Sequence, residues 1–187
     1  MRTLPNLLSL GRIFAGPLVM LFLAQGAVWG LVATLVVMAL AECSDLLDGH
    51  LARRFGATSS FGKIVDPLAD SLYRAMVFLA FLDAGWMPMW MVAIIVSRDI
   101  LVSYLRIFAQ QHGITLSART SGKVKAIVQG SVQIGAVVLH LAFAAHVAGA
   151  VYGLLLLATL VTAWSAVDYT LGFLRSVDIR ATVANRP

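Results

Sequence analysis

The sequence predicts an all-α integral membrane protein, a bundle of six transmembrane helices with a short N-terminal interfacial segment and cytoplasmic termini. Three observations favour this fold class. Of the 187 residues, 60% are hydrophobic and only 12% are charged, whereas a soluble domain is about 25% charged. Several apolar stretches approach the roughly 20 residues that a helix needs to cross a bilayer. The basic residues gather at one set of predicted helix ends, as they do in cytoplasmic loops.

Six helical segments follow from the apolar runs and from the residues that interrupt them. Met1 to Arg12 is short, basic and amphipathic, so we expect it to lie at the membrane interface before the first span. The apolar run from Ile13 to Ala41 is too long for one untilted helix, and Gln25-Gly26 divides it. Gly85 and Gly113 follow the ends of the third and fourth helices. The predicted helices are 7–25, 29–54, 61–83, 87–111, 120–144 and 148–175.

The distribution of Lys and Arg predicts the orientation of this bundle. All but two of the 14 Lys and Arg residues fall near one set of helix ends, the exceptions being Arg74 and Arg98. The opposite loops, around 25–30, 83–88 and 145–149, contain none. Because basic loops stay inside, both termini and the segment 45–70 are expected at the cytoplasmic face.

The same composition limits the domain organisation and the partners. We expect residues 1–187 to form a single membrane-embedded domain, because no polar linker is long enough to divide the chain. We attribute the net charge of +5 to membrane topology and expect no nucleic-acid partner. A single cysteine, Cys43, excludes a disulfide within the chain. We expect no cleaved signal peptide, since the first residues lack a compact apolar core followed by a small-residue cleavage site.

The segment 45–70, DLLDGHLARRFGATSSFGKIVDPLAD, holds four of the nine carboxylates of the chain between two apolar runs. Successive residues of a helix are rotated by about 100°, so the carboxylates form two matched pairs. The two helix faces consist of Asp45, Asp48, Gly49 and Ala52, with Arg53 at the edge, and of Gly62, Asp66 and Asp70. A short turn between them folds the helices back on each other, so we expect the pairs to converge.

A metal site explains this concentration of negative charge. Four unpaired carboxylates would repel one another and carry a large desolvation cost, which bound divalent cations remove. Oxygen ligands suit Mg²⁺ or Mn²⁺ better than zinc, and four carboxylates suit two ions better than one. The small residues leave room for a bulky ligand, and Arg53 adds a cation where a phosphate can sit. In the alternative interpretation, these carboxylates reach water at the helix ends or pair with Arg53 and Arg54.

The spacing of these residues resembles the signature of the CDP-alcohol phosphotransferase family. The chain reads Asp45-x2-Asp48-Gly49-x2-Ala52-Arg53-x8-Gly62-x3-Asp66-x3-Asp70, which matches every position of that signature. PNLLSLGRI near the start, SRDILVSYLR at 97–106 and SGKVKAIVQ at 121–129 extend the resemblance over most of the chain. These stretches are similar to bacterial members that make phosphatidylglycerol phosphate.

The resemblance implies an enzyme that transfers a phosphatidyl group from CDP-diacylglycerol to glycerol 3-phosphate and releases CMP. It implies the bacterial inner membrane, a site open to the cytoplasm, lipid tails between helices that are open to the bilayer, and often a homodimer. Two Mg²⁺ or Mn²⁺ ions would be held by Asp45, Asp48, Asp66 and Asp70. Asp70 would serve as a further ligand or as the base that deprotonates the acceptor hydroxyl. The CDP part would lie against Gly49, Ala52, Arg53 and Gly62.

A phosphorylated acceptor needs cations of its own, and the fifth helix supplies candidates. Lys125 and Gln129 share a face of this helix, while Lys123 points about 100° away. Lys125 is therefore the first candidate for the acceptor phosphate and Lys123 the second, and Arg119 and Arg106 can join them. The alternative is that these cations only anchor the cytoplasmic side of the membrane.

Three further charges fall inside predicted spans, where charge is costly. Arg98 and Asp99 lie in the middle of the fourth helix, and Arg74 continues the side of the third helix that carries Asp70. Arg74 can pair with Asp70 or Asp99, and Arg98 and Asp99 can pair with groups on other helices. The sequence leaves these pairings open.

Three other functions remain compatible with the sequence. The same chemistry could use another acceptor, such as serine, inositol phosphate or phosphatidylglycerol. A transporter could use buried carboxylates, but the acidic residues lie at one face and no inverted repeat is visible. A membrane assembly factor with an inactive site would not need the complete signature.

Overall fold

The structure, a computed structural model, describes residues 4–55, 62–112, 119–143 and 147–184, and the side chains of 11–45, 67–112, 119–143 and 147–177. These residues form six α-helices and no strand, as the sequence predicts. The helices are α1 (Leu4–Leu23), α2 (Val28–Phe55), α3 (Gly62–Asp83), α4 (Met89–Gln111), α5 (Thr120–Phe143) and α6 (Ala148–Ala184). Their ends lie within a few residues of the predicted ones except in α6, which continues to Ala184 instead of ending at 175.

Within the described residues, three helices are long and apolar enough to cross a membrane, judged by length and composition. The stretches are Val28–Asp45 of α2, Thr120–Phe143 of α5 and Ala148–Val177 of α6, and α1 has a shorter apolar stretch, Gly11–Leu23. The helices α3 and α4 contain 22 and 23 residues, which is about 33–35 Å at the rise of an α-helix. Charged residues in their middle lower their hydropathy.

Two glycines close the turns on the side of the bundle that has no basic loops. Gly26 and Gly85 have φ angles of 63° and 73°, a left-handed conformation that glycine adopts without a steric penalty. The Gly26 N–H donates to the Leu23 carbonyl at 3.1 Å, and the Gly85 N–H donates to the Leu82 carbonyl at 3.0 Å. These bonds satisfy carbonyls at the ends of α1 and α3. The helix ends that the sequence predicts at these two glycines are therefore confirmed.

The helices pack as two groups of three. The helix α1 packs on α2 and α3, α6 packs on α4 and α5, and the groups meet where α5 contacts α2 and α3 and where α4 contacts α3. Among the described residues, α2 and α3 do not pack directly on each other. The charged residues of α2 and α3 therefore contact each other through long side chains. The helices α1 and α5 pack beside them. The shared apolar core takes residues from all six helices, among them Val19, Met38, Phe78, Met91, Val137 and Leu155.

The surface and the interior have the polarity expected of a membrane bundle. Large apolar side chains such as Phe14, Ile127 and Leu160 are exposed. Buried polar side chains include Arg12, Arg74, Arg98, Lys125, Gln129 and Gln133. Ionisable groups inside a membrane bundle face the interior, where they find partners. The predicted interfacial segment is not separate in the described residues, because α1 runs unbroken from Leu4 and buries Arg12 against the other helices.

Candidate active site

Asp45 lies on α2 next to a cation from α1. The Nη1 atom of Arg12 donates to Oδ1 of Asp45 at 2.7 Å. The Arg12 side chain is 3% exposed, whereas that of Asp45 is 50% exposed. The arginine is therefore held inside the bundle, whereas half of the Asp45 side chain is exposed at the bundle surface. This pairing compensates the charge of Arg12 within the bundle.

Arg74 of α3 joins the two helices that carry the acidic motif. Its Nε donates to Oδ1 of Asp70 at 3.0 Å, one turn away on the same helix. Its Nη2 lies 3.4 Å from Oε1 of Glu42 on α2. The arginine is buried, and the two carboxylates are about one-third exposed. Asp70 is thus held at one oxygen by a fixed cation, and that cation is shared with the neighbouring helix.

The helix α5 closes this cluster from the other side. A Cβ atom at Gly130 would lie 2.8 Å from Nη1 of Arg74 and 3.3 Å from Oε1 of Glu42. Gln133, one turn later, donates through Nε2 to the backbone carbonyl of Arg74 at 3.0 Å. A side chain at this position of α5 would have to displace the end of Arg74, and a buried glutamine fixes the backbone that carries this arginine.

The structure describes the side chains of two of the four predicted metal ligands, Asp45 and Asp70. The side chains of Asp48 and Asp66 lie outside the described ones, although the helices place these residues one turn from Asp45 and Asp70 respectively. The predicted CDP-binding positions Gly49, Ala52, Arg53 and Gly62 also lie outside the described side chains. Among the described residues, no group of three or more His, Cys, Asp or Glu side chains is arranged to hold a metal ion.

The predicted acceptor residue Lys125 lies buried on α5, opposite Asp99 of α4. Its Nζ donates to both carboxylate oxygens of Asp99, at 2.8 and 2.9 Å. Asp99 also accepts from Nη1 of Arg98 at 2.9 Å. Two buried cations therefore share one carboxylate, which leaves an excess of positive charge. Nη2 of Arg98 donates to Oγ of Ser165 on α6 at 2.7 Å, so the unit spans α4, α5 and α6.

The other two candidates on α5 lie in different environments. Gln129 is buried one turn after Lys125, and its Nε2 donates to Oγ1 of Thr162 at 2.9 Å. Lys123 is exposed. Gln129 thus belongs to the polar interior that leads towards Gly130 and Arg74, whereas Lys123 faces the surroundings of the bundle.

Arg106 and Arg119 converge on the middle of α6. Nη2 of Arg106 donates to the Tyr169 hydroxyl at 2.6 Å. Nε of Arg119 donates to Oδ2 of Asp168 at 2.7 Å, and Ser121 donates to the same oxygen. The candidates predicted from α4 and α5 therefore approach one another through residues of α6.

Sequence reasoning missed Glu42, Asp168 and Tyr169. Glu42 precedes Asp45 by three residues and so lies on the same helix face, a signal that was available. Asp168 and Tyr169 have no local signal, because their partners Arg106 and Arg119 are about 50 to 60 residues away in sequence.

The candidate site has two chemically different parts, one on each side of α5. Partly exposed carboxylates on α2 and α3 offer hard oxygen ligands, which suit a divalent cation. Arginine and lysine side chains from α4, from α5 and from Arg119 just before α5 outnumber the carboxylates beside them, which suits a phosphate or another anion. The arrangement therefore fits chemistry on a phosphorylated substrate with help from a divalent cation.

Comparisons with known proteins agree with this chemical character. Residues 2–167 match the model of the family described as CDP-alcohol phosphatidyltransferase. A probable phosphatidylglycerophosphate synthase of Mycobacterium tuberculosis is 34% identical over 185 residues, which cover 97% of this chain and 87% of that protein.

Two further relatives differ in their names. A CDP-diacylglycerol–glycerol-3-phosphate 3-phosphatidyltransferase of Bacillus subtilis is 30% identical over 152 residues, covering 75% of this chain and 78% of that protein. A cardiolipin synthase (CMP-forming) of Streptomyces coelicolor is 32% identical over 114 residues, covering 59% of this chain and 53% of that protein. The similarity thus includes proteins named for different reactions.

Proposed function

The chain belongs to the CDP-alcohol phosphatidyltransferase family, and we propose that it transfers a phosphatidyl group from CDP-diacylglycerol to glycerol 3-phosphate, releasing CMP. The names of the Mycobacterium and Bacillus relatives support this acceptor. The observation that carries the proposal is the excess of buried positive charge around Lys125 and Arg98, which share the single carboxylate of Asp99. A phosphate dianion satisfies such an excess, whereas a neutral alcohol does not.

The proposal includes a membrane topology with six crossings. The lengths of α3 and α4 support it, because each can cross a hydrocarbon core of about 30 Å. Their charges Arg74, Arg98 and Asp99 are paired inside the bundle, which removes the main objection to placing these helices in lipid. The uneven distribution of Lys and Arg supports cytoplasmic termini and a site that opens to the cytoplasm of a bacterial inner membrane.

A pair of divalent cations, Mg²⁺ or Mn²⁺, completes the proposed site. The donor set fits such ions, since Asp45 and Asp70 offer partly exposed carboxylate oxygens and the motif adds Asp48 and Asp66 one helical turn away. When bound, the ions would neutralise charge on the pyrophosphate and on the leaving CMP. Arg12 and Arg74 each donate a charged hydrogen bond to one oxygen of Asp45 and of Asp70, which orients both carboxylates.

Asp70 is the proposed general base. Arg74 engages its Oδ1, which leaves Oδ2 to take the proton from the acceptor hydroxyl. The hydroxyl oxygen then bonds to the lipid-bearing phosphorus, the bond from that phosphorus to the CMP oxygen breaks, and CMP leaves. Gly49, Ala52, Arg53 and Gly62 are proposed to bind the CDP part, on the strength of the family signature.

Lys125 is the proposed first ligand of the acceptor phosphate. An ammonium group has three N–H donors, and Asp99 accepts two of them. The third is available to a phosphate oxygen, and the neighbouring Arg98 adds charge. Arg106 and Arg119 are proposed to bind the same phosphate from the cytoplasmic side, with Lys123 as an outer cation and Gln129 as a polar neighbour of Lys125.

An apolar groove beside Arg12 is the proposed place for a lipid tail. It has a volume of about 260 Å³, lies between α1 and α2 and is lined mainly by apolar residues. Arg12 and Ser44 form its polar part, next to Asp45. A lipid lying there would carry its phosphate end towards the carboxylates.

The homodimer that the family resemblance implies is also part of the proposal, and native mass spectrometry in detergent tests it.

A panel of acceptors tests the proposed function. Purified protein in mixed micelles receives CDP-diacylglycerol and Mg²⁺ with glycerol 3-phosphate, inositol phosphate, serine or phosphatidylglycerol, and CMP release is measured. We expect release with glycerol 3-phosphate and little with the others. Release with phosphatidylglycerol instead would make the Streptomyces relative the better guide. Transport across proteoliposomes without CMP release would contradict the enzymatic proposal.

A further inference from the structure

One face of α6 contacts the cations that approach from α4 and α5. Ser165, Asp168, Tyr169 and Gly172 occupy positions i, i+3, i+4 and i+7, which lie on one side of a helix. We call this set the α6 ridge. Ser165 accepts from Arg98, and Asp168 accepts from Arg119. The ridge itself carries no positive charge.

Tyr169 is the centre of the ridge. Its hydroxyl accepts from Nη2 of Arg106 at 2.6 Å and from the backbone N–H of Arg119 at 3.2 Å. The guanidinium carbons of Arg106 and Arg98 lie 5.1 and 5.4 Å from the centre of its ring, within the range of cation–π interactions. The side chain is buried, with 1% exposed. One residue thus contacts three arginines from three places in the chain.

Two glycines make room for this arrangement. A Cβ atom at Gly122 of α5 would lie 2.8 Å from the Tyr169 hydroxyl. A Cβ atom at Gly172 would collide with the guanidinium of Arg119. The backbone of α5 therefore approaches the tyrosine closely, and that of α6 approaches the arginine closely. Small residues at both contacts allow the hydroxyl and the guanidinium to occupy fixed positions.

We propose that Tyr169 is a positioning residue for the acceptor phosphate: its hydroxyl and ring hold Arg106, Arg98 and the start of α5 so that their free donors face one anion. The inference rests on the proposed function, in which those cations bind the phosphate of the acceptor. Like-charged guanidinium groups repel one another when no anion is present. A neutral ring and a hydroxyl that accepts two hydrogen bonds can hold them together without adding negative charge that would compete with the substrate.

Tyr169→Phe tests the role of the hydroxyl separately from that of the ring. The variant keeps the ring and its volume but removes the acceptor for Arg106 and Arg119. Hydrogen bonds to charged groups contribute enough that we expect the KM for glycerol 3-phosphate to rise about tenfold to a hundredfold. The kcat and the KM for CDP-diacylglycerol should change less than about threefold, because the described contacts of Asp45, Asp70 and Arg74 do not include Tyr169. Tyr152→Phe, at an exposed tyrosine of the same helix, is the matched control and should behave as the native protein.

Gly172→Ala tests the same role without changing Tyr169. The added methyl group must displace Arg119, so the KM for glycerol 3-phosphate should rise again. Gly153→Ala, where a Cβ meets no atom within 4 Å, should leave it unchanged. An unchanged acceptor KM in Tyr169→Phe would overturn the inference. So would an equal rise in both KM values accompanied by a lower Tm, since that result indicates a merely structural role.

A binding measurement keeps this inference separate from the proposed function. Inorganic phosphate and glycerol 3-phosphate should each raise the Tm of the native protein, and the increase should be smaller in Tyr169→Phe but not in Tyr152→Phe. If the native protein releases no CMP with glycerol 3-phosphate, the proposed function fails while this comparison still decides the role of Tyr169. Equal stabilisation of both variants by phosphate would contradict that role.

Discussion

A Cβ atom at Gly130 of α5 would lie 2.8 Å from Nη1 of Arg74 on α3. The arginine is buried and bonded to Asp70 and Glu42, so displacement of its guanidinium disturbs those contacts. The absence of a side chain at Gly130 therefore allows the guanidinium to lie between the helices of the acidic motif. The orientation of the proposed base depends on a residue two helices further along the chain.

Gly130→Ala should lower kcat by about tenfold or more, because displacement of Arg74 removes a charge-assisted hydrogen bond from Asp70. The Tm should fall as well, since the buried guanidinium loses partners. Gly135→Ala on the same helix is the control, as the nearest atom to its Cβ would be 3.7 Å away. That variant should keep kcat and gain slightly in Tm, because alanine is the better helix former. Equal kcat values for the two variants would contradict the role of Arg74.

Lys125→Ala should raise the KM for glycerol 3-phosphate by about tenfold or more, and far more than the KM for CDP-diacylglycerol. The reason is that the buried ammonium is the proposed first ligand of the acceptor phosphate. Lys123→Ala is the control on the adjacent, exposed face and should have a small effect. A larger effect of Lys123→Ala would move the phosphate to the outer side of α5.

A metal titration distinguishes the two roles proposed for the carboxylates, which are metal ligand and general base. EDTA should abolish CMP release. Asp48→Asn should weaken metal binding, so excess Mg²⁺ should partly restore its activity. Asp70→Asn keeps the shape but removes the base, so kcat should fall by roughly 10²–10⁴ and excess Mg²⁺ should not restore it. Equal rescue of both variants would make Asp70 only another ligand, and full activity without divalent cations would contradict the metal site.

The proposed orientation can be tested with single cysteines. The native Cys43 is exposed and must first be replaced by serine. In that background, Ala84→Cys lies at the turn between α3 and α4, and Val177→Cys lies in the last part of α6. A membrane-impermeant maleimide should label Ala84→Cys in intact cells and Val177→Cys only after permeabilisation. The reverse pattern would place the basic residues outside.

The helices could be predicted because their signals are local. Apolar runs interrupted by Gly26 and Gly85 identify the ends of α1 and α3, and both glycines adopt the left-handed conformation that the turns require. The end of α6 was predicted too early, at 175, because the prediction followed hydropathy. A helix can continue beyond the apolar stretch as long as its backbone hydrogen bonds are satisfied, and α6 does so to Ala184.

The site was predictable where its contacts follow helix periodicity. Arg74 and Asp70 are four residues apart, and their pairing was one of two options that the sequence left open. The partners of Arg12, Lys125 and Arg106 lie on other helices, so they depend on how those helices pack. For this reason the sequence does not predict the pairing of Arg12 with Asp45, and it does not identify Tyr169.

The most direct test of the central claim follows the phosphorus of the acceptor. Purified protein receives CDP-diacylglycerol, a divalent cation and glycerol 3-phosphate labelled with ³²P, and the label is measured in the lipid extract together with CMP in the aqueous phase. Transfer to glycerol 3-phosphate predicts one labelled lipid phosphate for each CMP released, and loss of both products in Asp70→Asn. CMP release with the label remaining in the aqueous phase would contradict glycerol 3-phosphate as the acceptor.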